Sequence, residues 1–169
     1  MHEEAVALFD GLVCHLREGR AGHSWCQYAW DSIKQQRFMV ADGRAVAQET
    51  NIQATIRTVA KLFASLKPFV DIEQSRLDTL TVLCNPYTAE IEQCVHEMRQ
   101  LLLQQGIMLG VLHPHSVLRS LSSDVLTKPY CVEGTFVTVR WAVPEDGVFT
   151  SKNPQLSRLL QQWLNQSSM

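Results

Sequence analysis

Among the residues able to do chemistry, His113-Pro114-His115 forms the densest local arrangement. Two histidines one residue apart can hold a metal ion, and Cys84, at the end of another predicted strand, would approach the same sheet edge. Cys26, His96 and Cys131 join them as candidates if the fold brings them close. The spacing matches none of the familiar zinc signatures, since the chain has neither HExxH nor a paired CxxC. More plainly, Pro114 would end the strand, His113 would hydrogen-bond a nearby backbone or loop group, and His115 would be solvated. No metal is firmly expected; His113 and His115 are the residues that would hold one.

Nucleophilic catalysis by Cys26 or Cys84 would need a base to favour the thiolate, with His96 or His113 as the natural choices. Haem ligation by His113 or Cys26 is conceivable, although His-Pro and lone Cys elements occur freely without haem. Arg140 sits in an alternating segment, opposite in facing to Val139 and Trp141. Its planar fork could clamp a carboxylate or phosphate, or pair with a structural acid. Gly106 and Gly110 do not make a phosphate loop, because apolar residues separate them and no Gly-Lys-Ser/Thr follows. Gly106 suits a helix cap and Gly110 a close-packing or bulge position.

Composition narrows the class of protein that must position these groups. The chain has 169 residues, 46% hydrophobic and 19% charged, so it can bury a sizeable core and is not of the disordered kind. A formal charge of −2 without Lys/Arg runs predicts neither a nucleic-acid nor an anionic-membrane partner. The opening Met-His-Glu-Glu lacks the positive start and apolar core of a signal peptide, and no apolar stretch is long enough to span a bilayer. Five cysteines without a CxxC pair suit reduced thiols in a reducing compartment, so a cytoplasmic protein is expected.

Helical spacing of Val6, Phe9, Leu12, Val13 and Leu16 predicts an opening helix over 3–17, broken by Gly19 and Gly22. Ile33–Ala41 reads as a strand, and Asp42-Gly43 as the tight turn of a hairpin into Arg44–Gln48. A helix follows with Ile52, Ile56, Val59, Phe63 and Leu66 on one stripe, ending at Pro68. Asp78–Cys84 reads as a buried strand, Asn85-Pro86 (or Thr88) as the start of a helix burying Ile91, Val95, Met98 and Leu102, and Ile107–Leu112 as an internal strand. Residues 116–134 read as a long loop. Residues 135–143 alternate cleanly, and a last helix begins at Asn153-Pro154. Strands alternating with helices predict parallel pairing, while the last two strands can pair antiparallel. The expectation is a single α/β domain: one mixed sheet flanked by helices, with an element order like the thioredoxin core. That likeness carries no redox function.

Several stretches together resemble a bacterial family of unknown function. That family has a Cys-Pro-Phe element near its first strand, a Val-His pair in a later helix, and a Gly-Leu-Met-Ile-Gly-x-Phe-His-Pro run. A short strand with an Ile-Arg pair and an acidic, Phe-containing segment follow. Here the matching stretches are Cys26-Gln27-Tyr28 with Arg37-Phe38-Met39-Val40, then Val95-His96, and most closely Gly106-Ile107-Met108-Leu109-Gly110-Val111-Leu112-His113-Pro114. Val137-Thr138-Val139-Arg140-Trp141 and Asp146-Gly147-Val148-Phe149 complete the order. The resemblance spans roughly 24–150, with the first and last helices as additions. It departs at Cys26-Gln27, where the family has Cys-Pro, and it implies no reaction, cofactor or catalytic residue.

Two functional classes follow. One is a cytosolic, non-catalytic accessory or small-ligand-binding protein associated with a pathway, with Cys26, His96, His113 and Arg140 as its ligand-binding candidates. The other is a small enzyme using a Cys/His/Arg site, metal- or haem-dependent. Homo-oligomerisation would need an exposed apolar face on a terminal helix.

Overall fold

Ala5, Phe9, Leu12 and Leu16 recur every three or four residues and form the buried side of helix α1, Glu3–Arg17. Val6, expected on that stripe, is exposed, and Ala5 takes its place. The computed structural model describes residues 3–17, 27–44, 52–65, 77–84, 89–114 and 133–167. After α1 come α2 (Gln27–Lys34), β1 (Phe38–Asp42), α3 (Ile52–Ser65), β2 (Thr79–Cys84), α4 (Ala89–Leu103), β3 (Ile107–Leu112) and β4 (Thr135–Trp141). A single 3-10 turn, Pro144–Asp146, leads into a short α5 (Gly147–Thr150) and the long α6 (Pro154–Ser167).

The strands form one mixed sheet in the order β1-β2-β4-β3. β1 and β2 pair parallel, as alternation with helices predicts, while β4 runs antiparallel to both β2 and β3. β1, β2 and β3 therefore point the same way, and the last strand in the chain lies between β2 and β3. The α/β class and the mixed sheet agree with the sequence pattern, as does the antiparallel pairing of the last two strands.

Alternation along β4 divides the two faces. Val137, Val139 and Trp141 point to α3 and α4, where Ile56, Phe63, Val95 and Met98 complete the larger core. Phe136 points to the other face, with Leu83, against Phe9, Leu12 and Leu16 of α1. α6 closes the end of the sheet where β3 begins, burying Leu156 and Leu160 against Leu103, Met108 and Ala142. Asn153 starts this helix as expected: its Oδ1 accepts from the backbone N–H groups of Gln155 and Leu156.

The hairpin expected at Asp42-Gly43 does not form as predicted. Ile33 and Lys34 belong to α2, Gln36 turns the chain with φ 58°, and the strand begins only at Phe38. Gly43 continues the pairing with β2, donating its N–H to the Leu83 carbonyl (2.9 Å), and Arg44 is already helical. A Cβ at Gly43 would stand 2.6 Å from Val82 Cγ1, so this glycine serves close packing rather than a turn. Residues 45–48 of the expected second strand lie outside the described residues, as do the Asn85-Pro86 helix start and most of the 116–134 loop.

At Gly106 the expected helix stop is present, with φ +73°. Of the two expectations for Gly110, the bulge does not occur. The β3–β4 register runs through it unbroken, and among the described residues nothing lies within 4 Å of where its Cβ would stand.

Candidate functional site

The carboxyl ends of parallel strands are where open α/β sheets place their ligands, because the chain leaves the sheet there and opens crevices. In this protein β2 ends at Cys84 and β3 at Leu112, with β4 beginning between them at Thr135. Cys84 is the register partner of Thr135, and Leu112 is the partner of Phe136. His113 follows Leu112 directly, so its backbone lies level with Thr135. The three neighbours Cys84, Thr135 and His113 thus stand in a row across the sheet end, and all three are buried.

Their chemistry differs. Burial pushes the Cys84 thiol up from an ordinary 9.0 to about 11, only partly offset by a backbone hydrogen bond with Val137. Its Sγ also donates to the Val82 carbonyl (3.7 Å). The thiol is therefore held protonated at neutral pH, which disfavours attack as a thiolate. Among the described residues the buried Thr135 hydroxyl has no hydrogen-bond partner. An unsatisfied buried hydroxyl costs about 1–3 kcal/mol, so its position at this sheet end calls for a reason. No simple sequence signal marks Thr135, since a threonine opening a strand is ordinary.

The other candidates are spread out. His96 lies on the exposed side of α4. Arg140 is paired with Met108 in the register, five residues along β3 from His113, or about 16 Å at the strand rise. The structure does not bring His113 and Arg140 together. Cys26, His115 and Cys131 lie outside the described residues. Among the described residues, no three His, Cys, Asp or Glu side chains gather where they would hold a metal ion.

Arg140 is engaged with Asp146, a residue that the sequence placed only in an acidic segment. Arg140 Nη1 donates to Asp146 Oδ2 (2.9 Å) and Nη2 to Oδ1, a two-pronged ion pair, while Nη1 also reaches the Trp141 carbonyl (3.0 Å). Asp146 Oδ2 accepts a further bond from the Val143 N–H (2.9 Å), and Asp146 has no exposed surface. Six residues apart in sequence, the pair ties the turn after β4 back onto the strand.

Arg99 is a further cation that the sequence did not single out. It reaches from α4 to the outer side of β3, where its Nε donates to the Leu109 carbonyl (2.9 Å). Burial holds its guanidinium below the usual arginine range; Asp146 opposes that shift and Arg140 adds to it.

A mixed sheet with helices on both faces and a buried polar row at its carboxyl end defines an open α/β protein. The chain belongs to the family described as Domain of unknown function (DUF6875), whose model matches residues 12–168. The match runs beyond the 24–150 stretch carrying the motif likeness and takes in the C-terminal end of α1 and the whole of α6. No curated protein and no solved structure matches the chain. Among the described residues, no helix is long and apolar enough to cross a membrane.

Proposed function

We propose that this chain is a non-catalytic accessory protein of the bacterial cytoplasm that binds a small molecule at the carboxyl ends of β2 and β3. The observation that carries this reading is the Thr135 hydroxyl, buried without a hydrogen-bond partner among the described residues, beside Cys84 and level with His113. A ligand with a hydrogen-bonding group at that point would satisfy the hydroxyl and remove the penalty of leaving it bare. The protonated Cys84 favours binding over covalent catalysis. The buried free thiols of Cys84 and Cys94 suit a reducing compartment.

The test is native mass spectrometry of the protein incubated with a filtered small-molecule extract of bacterial cells. We expect a bound mass on the wild type that persists in Thr135→Ser and is lost in Thr135→Val. Thr135→Val should also melt higher than wild type, by about 1 kcal/mol of stability, because it deletes an unsatisfied hydroxyl without changing shape. A wild type that retains no small molecule, or a Thr135→Val protein that retains the same one, overturns the proposal.

A further inference from the structure

Asp146 is the only carboxylate among the described residues with a resolved influence on Arg99, and both of its oxygens are already engaged. Both of its oxygens receive the Arg140 fork, and Oδ2 also receives the Val143 N–H. Arg99, the second guanidinium, has its Nε on a neutral carbonyl, and no carboxylate among the described residues lies within ion-pair distance of it. The two cations are close in the fold. Arg99 binds the backbone at Leu109, the residue after Met108, and Met108 is the register partner of Arg140. Among the described residues, Arg99 therefore has as its nearest negative influence a carboxylate already held by the Arg140 fork.

A half-buried cation lacking a counter-charge is costly to keep, and the usual remedies are pairing or an anion from solution. Among the described residues the neighbourhood leaves room for the second. Gly110, adjoining Leu109, has nothing among the described residues within 4 Å of where its Cβ would stand, and its partner across the ladder is Thr138, a hydroxyl-bearing residue. Nε is fixed on the Leu109 carbonyl, so the planar fork is held in place, and among the described residues nothing takes up its terminal amino groups, which could meet an oxyanion.

We propose that Arg99, anchored on the outer edge of β3 beside Gly110, binds an oxyanion, the carboxylate or phosphate group of a small molecule. This site is separate from Thr135 and goes beyond the reading above: either can fail without the other. A purely structural Arg99 would shield the free edge of β3, and its replacement would lower stability with no dependence on the anion present.

The probes are inorganic phosphate and acetate, each titrated into the full chain against sodium chloride at equal ionic strength. Melting temperature and the Arg99 Nε–H resonance are followed together. We expect at least one oxyanion to give a saturable movement of that resonance and a rise in melting temperature of about 3–5 °C at ten times its dissociation constant. Arg99→Gln should lose both responses, and Arg99→Lys, which keeps the charge but not the fork, should weaken binding roughly tenfold. Arg57→Gln, an exposed arginine on α3, should respond like wild type. The proposal is overturned if chloride gives the same rise at equal ionic strength, or if Arg99→Gln keeps the response. Should Arg99→Gln fail to fold, the wild-type resonance and the Arg99→Lys affinity decide the matter alone.

Discussion

The indole of Trp163 occupies the space beside Gly106 where any other residue would carry its Cβ: three ring atoms would stand 2.1 to 2.4 Å from that carbon. Gly106 also has φ +73°, a conformation that other residues adopt with strain. Trp163 in turn stacks on Trp141 of β4, with ring centroids 6.4 Å apart. The start of β3, the end of β4 and the middle of α6 are locked together through one missing side chain.

Gly106→Ala should therefore destabilise the protein by about 2–4 kcal/mol, the sum of backbone strain and overpacking, as read by urea denaturation. Gly106→Ala combined with Trp163→Leu should lose about 1–2 kcal/mol less than the two single changes added together, because the smaller side chain makes room for the methyl group. Simple additivity would show that the indole does not press on this glycine.

Asp146→Asn should cost about 3–5 kcal/mol, because it leaves the Arg140 guanidinium with a neutral partner in a site that is only 14% exposed. Replacing both members by apolar residues, Arg140→Met with Asp146→Leu, should recover most of that loss. A double variant no better than Asp146→Asn alone would mean that the pair is needed for the shape of the turn.

Cys84 predicts a loss of stability in alkali. Below pH 9 the thiol is protonated in both folded and unfolded chains, so it contributes no pH dependence there. Between pH 9 and about 11 the unfolded chain ionises first, and this group removes up to roughly 3 kcal/mol of stability as the pH rises through that window. Urea midpoints from pH 8 to 11 should fall with a shallower slope in Cys84→Ala. At pH 8, iodoacetamide should label the exposed Cys14 in the native protein and spare Cys84 and Cys94, as peptide mass spectrometry would report.

Gly43 and Gly110 should part company. Gly43→Ala meets Val82 Cγ1 and the Leu83 carbonyl and should destabilise by about 1–3 kcal/mol. Gly110→Ala meets nothing among the described residues and should stabilise by about 0.5 kcal/mol by restricting the unfolded chain. Thermal melts of the two single variants are sufficient to check both.

Those two glycines also mark where sequence stops being informative. Periodicity revealed the helices because burying one stripe demands it, and the alternation of 135–143 revealed β4 for the same reason. Asp42-Gly43, however, has the composition of a tight turn while acting as a close contact with β2. Only the neighbouring strand distinguishes the two, and that neighbour lies some forty residues away in sequence. At the site, strand ends could be read, so the positions of Cys84 and His113 followed. Thr135 could not be found, because its significance is a missing partner. Arg140 was visible as a chargeable group on a strand, but the acid that takes its fork stands in a turn whose path no periodicity describes. Arg99 was hidden on a helix face, where an arginine is usually solvated.

The order β1-β2-β4-β3 also has a consequence for synthesis at the ribosome. As the chain emerges, β1 and β2 can join as soon as both are free, but among the described strands β3 has no neighbour until β4 is made, more than twenty residues later. For that interval one apolar strand waits with both sides unpaired, a state prone to association with other chains. The arrival of residues 135–141 then completes two ladders at once, so assembly of the sheet is decided late and in a single step.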